Sequence, residues 1–232
     1  MEYNESMAEM RVPRFIGHML PGILFITIST YGSVDLYRQH FKSNSKKKCF
    51  QASHGHPYWF LSDKTAKTRQ IEAVVRFTLL FLGVAAELLS GFKGHNRKYT
   101  NGVIHAEHSA IFTAFGLSAF VDILTYHGNS CLPDGSAYFC GLGAFGVQFV
   151  LLAFHLHGRT LLNTHLHTLL IYTVGLNAVA TITEYIYRDK FIWSLPRQFF
   201  YCLQGTWLIQ TAMILFNPPG QRPLWMKMTA SQ

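Results

Sequence analysis

The sequence is short of charged residues. Only 14% of its 232 residues are Asp, Glu, Lys or Arg, whereas a soluble domain usually has about a quarter. Hydrophobic residues make up 49% of the chain, and the mean hydropathy is positive at +0.15. This composition favours a protein that lies in a lipid bilayer. The net charge of +8 is concentrated in one loop, which indicates a topology signal and argues against a nucleic-acid partner.

Other signatures are absent as well. The sequence has no HExxH or CxxC metal motif, no phosphate-binding glycine motif and no internal repeat. Its four cysteines are scattered, and we expect them to be free thiols. The cysteines are Cys49, Cys131, Cys140 and Cys202.

Apolar runs of about twenty residues dominate the chain, and this length crosses a bilayer as an α-helix. They cover residues 15–37, 71–92, 104–126, 137–157, 166–187 and 197–216. Because most connections are short, successive segments should be antiparallel. We therefore predict an all-α, polytopic transmembrane helix bundle of six spans, with residues 1–232 forming a single domain.

The longest connection, at residues 38–70, is basic and contains the run Lys46 to Lys48. Positive loops remain in the cytosol, so this loop should be cytoplasmic and the N-terminus lumenal or extracellular. Lys93, Arg97 and Lys98 would then be on the lumenal side, which opposes this orientation.

Alternation of the spans sorts the polar residues into two groups, whichever way the bundle is inserted. One half of the membrane receives His18, Glu87, His105, His108, His155, His157, His165, His167 and Gln210. The opposite half receives Asp35, Glu72, Asp122 and Glu184. Polar side chains are costly against lipid, so they should face the interior of the bundle.

Spacing of about seven residues marks an inward polar stripe on most segments. Its members are Arg76, Asp122, Asn177, Glu184 and Gln204. We expect Asp122, Glu184 and Gln204 to be buried between helices and hydrogen-bonded, with Arg76 as the basic partner.

The stretch HLHGRTLLNTHLH, from His155 to His167, is predicted to be a tight turn between spans four and five. The stripes select His155 and His167 as inward residues and leave His157 and His165 in or beside the turn. Imidazoles with a carboxylate can bind zinc. The candidate ligands are Glu87, His108, His155 and His167, with His18 in a second ring. The alternative is that these histidines are interfacial anchors that hydrogen-bond backbone and water.

Several segments together resemble the transmembrane protein 45 family, and within it the transmembrane epididymal protein branch. They are GHMLPG, EHSAIFTAFGLSAFVDILTY, HLHGRTLLNTHLHTLLIYTVG, ITEYIYRD and LQGTWLIQ. The resemblance implies a multi-pass protein of Golgi and endosomal membranes, with the plasma membrane as an alternative, and no established biochemical activity. Family members resemble seven-helix proteins, and the seventh helix is expected to be missing here.

Three hypotheses for the function follow. The first is a non-enzymatic membrane protein that acts through a membrane-protein partner or as a homo-oligomer. The second is a zinc-dependent lipid hydrolase, by analogy with other seven-helix membrane hydrolases. The third is a carrier of protons or metal ions that uses Glu87, Asp122 and Glu184 as a relay.

Overall fold

A computed structural model describes residues 2–56, 66–92, 99–127, 132–154, 156 and 159–216. The helices are α1 (Glu2–Ser45), α2 (Ala66–Phe92), α3 (Tyr99–Thr125), α4 (Ser136–Phe154), α5 (Leu161–Ile186) and α6 (Leu195–Leu215), with a 3₁₀ turn at Phe191–Ser194. No strand occurs within these described ranges. The predicted all-α fold is confirmed.

Five of the helices, α1 to α5, are long and apolar enough to cross a membrane. Large apolar side chains such as Leu20, Phe81 and Leu117 are more than half exposed on the outside of the bundle, as contact with lipid requires. Helix α6 is not among the five, and Arg197 and Gln204 are two of its polar residues. The chain is thus a helical bundle of the membrane-spanning type, and the sixth span stays a prediction.

Several helices, among them α1 and α5, are longer than the apolar pattern predicts. Helix α1 continues to Ser45, into the predicted basic loop, because Arg, Lys and Gln are good helix formers outside the bilayer. Helix α5 begins at Leu161, where the Thr160 side chain caps it by accepting from the Asn163 amide at 3.4 Å. His165 therefore lies within α5, and the prediction that it lies in or beside the turn is wrong.

The bundle packs as a chain of neighbouring pairs. Helix α2 packs against α3, α3 against α4, α4 against α5, α5 against α6, and α6 against α1. The last pair approaches closely at two glycines: a Cβ on Gly205 would lie 2.7 Å from the carbonyl oxygen of Gly22 and 2.9 Å from the amide of Ile26. Small residues allow such close packing of membrane helices.

The segment after α1 folds back onto the bundle. Phe50 and Ala52 are buried beside Leu36, and the Ala52 amide donates to the Arg188 carbonyl at 2.8 Å. Residues 53–56 consequently lie at the end of the bundle interior. This end of the predicted cytoplasmic loop is therefore packed against the helices.

Candidate functional site

The interior of the bundle contains two polar clusters at opposite ends. The histidine cluster consists of His18, Glu87, His105, His108 and His167. The ionic cluster consists of Asp35, His54, His56, Glu72, Arg76, Asp122, Glu184 and Arg197. The two groups correspond to the two halves into which the sequence pattern sorts the polar residues.

His18 of α1 is the centre of the histidine cluster. Its ring centroid lies 5.9 Å from that of His108 and 5.7 Å from that of His167, edge to face in both cases. Glu87 of α2 joins from the other side, with a carboxylate oxygen 2.7 Å from His105 Nδ1 and the other 3.4 Å from His108 Nδ1. Four helices therefore meet through imidazole and carboxylate groups.

Backbone carbonyls orient two of these rings. His18 Nδ1 lies 3.0 Å from the Arg14 carbonyl oxygen, and His167 Nδ1 lies 3.0 Å from the Asn163 carbonyl oxygen. A carbonyl oxygen only accepts hydrogen bonds, so Nδ1 carries the proton in the neutral form of each ring. Both side chains are buried, and each is held by its own helix.

The predicted zinc ligands are only partly brought together. Glu87, His108 and His167 share this end of the bundle, but His18 lies between His108 and His167 instead of in a second ring. His155 lies outside the described residues. Among the residues that are described, no group of three His, Cys, Asp or Glu side chains is arranged to hold a metal ion. Since the predicted set includes His155, zinc stays a sequence-based prediction.

Arg197 holds one half of the ionic cluster together. Its guanidinium donates to both carboxylate oxygens of Glu184, one of them at 2.9 Å. It also donates to the carbonyl oxygens of His54 at 3.1 Å and Ser53 at 3.2 Å. Tyr138 donates to Glu184 at 2.9 Å. Arg197, which is 1% exposed, thereby ties α5 and α6 to the segment at residues 53–56.

Arg76 holds the other half. It pairs with Asp122 and, more loosely, with Glu72 at 3.4 Å. Tyr31 donates to Glu72 at 2.5 Å, and His54 Nδ1 lies 3.0 Å from each oxygen of Asp122. Arg76 is thus the basic partner of Asp122, as expected, whereas the basic partner of Glu184 is Arg197.

His56 links the two halves. Its Nδ1 lies 3.2 Å from Asp35, and its Nε2 lies 3.1 Å from Arg197 Nη2 and 3.0 Å from Gln198 Nε2. Both neighbours of Nε2 are donors, so Nε2 accepts and the ring is neutral. Burial, together with the charge of Arg197, lowers the pKa of His56, although Asp35 opposes the shift.

A chain of side-chain amides crosses the bundle between the clusters. Asn177 of α5 donates to Gln204 of α6 at 2.6 Å, and Gln204 donates to Gln148 of α4 at 3.0 Å. Asn177 and Gln204 are fully buried. The inward stripe therefore places all five of its members in buried or half-buried positions with polar partners.

A narrow cavity connects the two clusters. About 90 Å³ of it is available to the centres of water-sized molecules. His18, His108 and His167 line one end, and His54 and Arg76 line the other. The walls between them are mostly apolar and include Leu24, Phe25, Leu80, Phe112, Phe115 and Leu170.

Sequence reasoning missed His54 and His56, because the loop that carries them was interpreted only as a basic topology signal. The available signal was the motif SHGH itself, residues 53–56, which contains two histidines and no Lys, Arg, Asp or Glu and follows a lysine-rich run. Nothing in the helical periodicity can place a loop residue inside the bundle.

Fold and site together define a polytopic helical membrane protein with a polar interior. The profile of a family of unknown function (DUF716) matches residues 136–222. This family includes the transmembrane protein 45 proteins, so the resemblance is supported at the level of the larger family. The matched stretch contains α4, α5 and α6, and with them Glu184, Arg197 and the amide chain.

Proposed function

We propose that this chain is a non-catalytic, multi-pass protein of Golgi and endosomal membranes. Protonation of its histidine cluster changes the packing of its helices and thereby its contact with a membrane-protein partner. The resemblance to the epididymal branch of the transmembrane protein 45 family supports the compartment. The contact of His18 with His108 and His167 carries the rest of the proposal.

Neutral imidazoles can pack together, but protonated ones repel. Two unit charges about 6 Å apart repel by about 3 kcal/mol at an effective dielectric constant of about 20. Glu87 can balance one added proton through its contacts with His105 and His108, and a second proton on a ring in contact with His18 adds this repulsion. Acidification should therefore separate α1 from α3 and α5.

The predicted orientation supports this proposal. It places the histidine end of the bundle on the lumenal side, which is the side that becomes acidic along the secretory and endosomal route. Histidine is the side chain whose charge changes in this pH range. The acidic residues at the opposite end already have partners, and their role in the proposal is to hold the bundle together.

Thermal unfolding of the purified protein in nanodiscs at pH 7.5 and pH 5.5 tests the proposal. We expect wild-type protein to lose stability on acidification, and His18→Gln to lose much less. His127→Gln is the matched control, because His127 is an exposed residue at the other end that contacts Gln70. An equal loss in wild type and His18→Gln would refute the role of the cluster.

A proton carrier is the second candidate, because one cavity reaches titratable groups at both ends. Proteoliposomes with an internal pH dye and an imposed potential would report proton entry. Glu87→Gln and Asp122→Asn should each reduce the flux, whereas Asp134→Asn, on an exposed turn, should not. A flux no greater than that of protein-free vesicles would exclude this candidate.

A further inference from the structure

A groove lies on the outside of the bundle, between the end of α3, the start of α4 and the end of α5. Its volume is about 760 Å³, which lies within the range of about 300–1,000 Å³ that is usual for ligand sites. Apolar side chains form most of its wall, and they include Val121, Leu132, Phe139, Leu142, Ile182 and Ile186. This space, the lateral groove, is distinct from the narrow cavity inside the bundle.

The lateral groove is charged at one end and apolar along its length. Asp134, in the turn before α4, lines the charged end with a side chain that is 81% exposed. From Ser136 to Leu142, both of which line the groove, α4 rises by about 9 Å away from that end. Phe139 is 77% exposed in this part, as contact with lipid requires. The groove therefore passes from the headgroup level into the hydrocarbon, as a lipid molecule does.

Arg188 stands beside Asp134 at the charged end. Its Nη1 donates to both oxygens of Asp134, at 3.1 and 2.9 Å, and its Nε donates to the Ala52 carbonyl oxygen at 3.3 Å. Its guanidinium also lies over the rings of Tyr138 and Tyr185, which line the groove, at 5.4 and 5.9 Å from their centroids. These contacts, made with described residues, fix the guanidinium and use Nε and Nη1, so the two N–H donors of Nη2 can bond to a ligand.

The adjacent charges of Arg188 and Asp134 are complementary to a headgroup that carries both signs. A phosphate accepts hydrogen bonds from arginine, and a primary ammonium donates them to a carboxylate. An exposed pair such as Asp134 and Arg188 contributes little stability by itself, so sharing its members with a headgroup costs little. A headgroup with only negative charge is repelled by Asp134, and a quaternary ammonium has no N–H to donate to it.

We propose that the lateral groove binds phosphatidylethanolamine from the surrounding bilayer. The phosphate contacts Arg188, the ammonium contacts Asp134, and the first part of an acyl chain lies against the apolar wall. A sterol, with a single hydroxyl as its polar group, matches neither charge. The site is independent of the histidine cluster, which lies at the other end of the bundle.

Photo-crosslinking of the full chain in phosphatidylcholine nanodiscs tests the proposal with three lipid probes that have identical acyl chains. Each probe carries a diazirine near the start of one chain, and their headgroups are phosphoethanolamine, phosphocholine and phosphoglycerol. We expect the ethanolamine probe to label residues 132–142 and 181–186, and unlabelled phosphatidylethanolamine to compete. The choline and glycerol probes should label these two segments about threefold to fivefold less, as the loss of one exposed ion pair implies.

Asp134→Asn should lower labelling by the ethanolamine probe to the level of the choline probe. Asp189→Asn is the matched control, because Asp189 is exposed at the same end and does not line the groove, and it should leave the ratio unchanged. Cys140→Phe, which fills part of the groove, should reduce labelling of both segments by all three probes. Equal labelling by the ethanolamine and choline probes, stronger labelling by the glycerol probe, or equal effects of the two aspartate variants would overturn the proposal.

Discussion

His56 Nδ1 lies 3.2 Å from Asp35 Oδ2, which joins the loop after α1 to the last part of α1 itself. The same ring accepts from Gln198 of α6 at 3.0 Å. Residues far apart in the sequence are thereby fixed to one another by one imidazole. We therefore expect the docking of this loop to depend on the charge of His56.

Acidic pH should release the docked loop. In an undocked loop His56 has a pKa near 6.5, and in the fold burial and Arg197 lower it despite Asp35. The undocked state therefore binds the proton first, so docking weakens as the pH falls below about 6.5 and towards the lowered value. Each unit of lowering corresponds to about 1.4 kcal/mol, or up to tenfold more undocked loop.

Thiol labelling of Ala52→Cys in a Cys49→Ser background measures this docking, because Ala52 is 1% exposed in the fold. The labelling rate, corrected with a small reference thiol, should rise between pH 7.5 and pH 5.5. Adding His56→Gln should flatten the profile. A pH profile that keeps its slope in the His56→Gln background would show that another group controls the loop.

Glu184→Gln should strongly destabilise the bundle. It leaves the buried charge of Arg197 without its carboxylate, and an uncompensated buried charge costs about 3–5 kcal/mol. Asp134→Asn removes the partner of Arg188 in an exposed pair, where Asp134 is 81% exposed, and should have a much smaller effect. Urea or thermal unfolding in mild detergent compares the two, and similar losses would contradict a special role for the buried pair.

The sequence predicts the helices and the inward stripe because both follow from local periodicity. Apolar length marks the segments, and seven-residue spacing places residues such as Asp122 and Glu184 on the interior side, where the structure buries them. The predicted and observed starts of α5 differ because one residue, Thr160, caps the helix and sets its boundary. Such ends depend on single caps rather than on periodicity.

Contacts between helices could not be predicted in the same way. Seven-residue spacing places Arg76 on the interior face, but it does not say whether Asp122 or Glu184 is its partner. That choice depends on which helices are neighbours and on the position of Arg197. The entry of His54 and His56 into the bundle likewise follows from long-range contacts that no local pattern contains.

Gln204→Leu should destabilise the protein by about 1–3 kcal/mol, because it leaves Asn177 and Gln148 without their partner. Gln210→Leu is the control on the same helix, since Gln210 is exposed, and it should be neutral or stabilising in a membrane environment. Thermal unfolding of both variants gives the comparison. A neutral Gln204→Leu would mean that the amide chain is dispensable for stability.

Gly205→Ala should weaken the contact between α1 and α6. The added methyl group would lie 2.7 Å from the Gly22 carbonyl oxygen and 2.9 Å from the Ile26 amide, and backbone atoms cannot rotate away as a side chain can. The helices must move apart, at a cost of about 1–3 kcal/mol. Gly146→Ala, which meets nothing within 4 Å, should instead stabilise α4 by about 0.5–1 kcal/mol through its helix propensity. The two substitutions are chemically identical. Opposite shifts in the unfolding temperature would therefore support a close contact between α1 and α6 at Gly205, and shifts of the same sign would refute it.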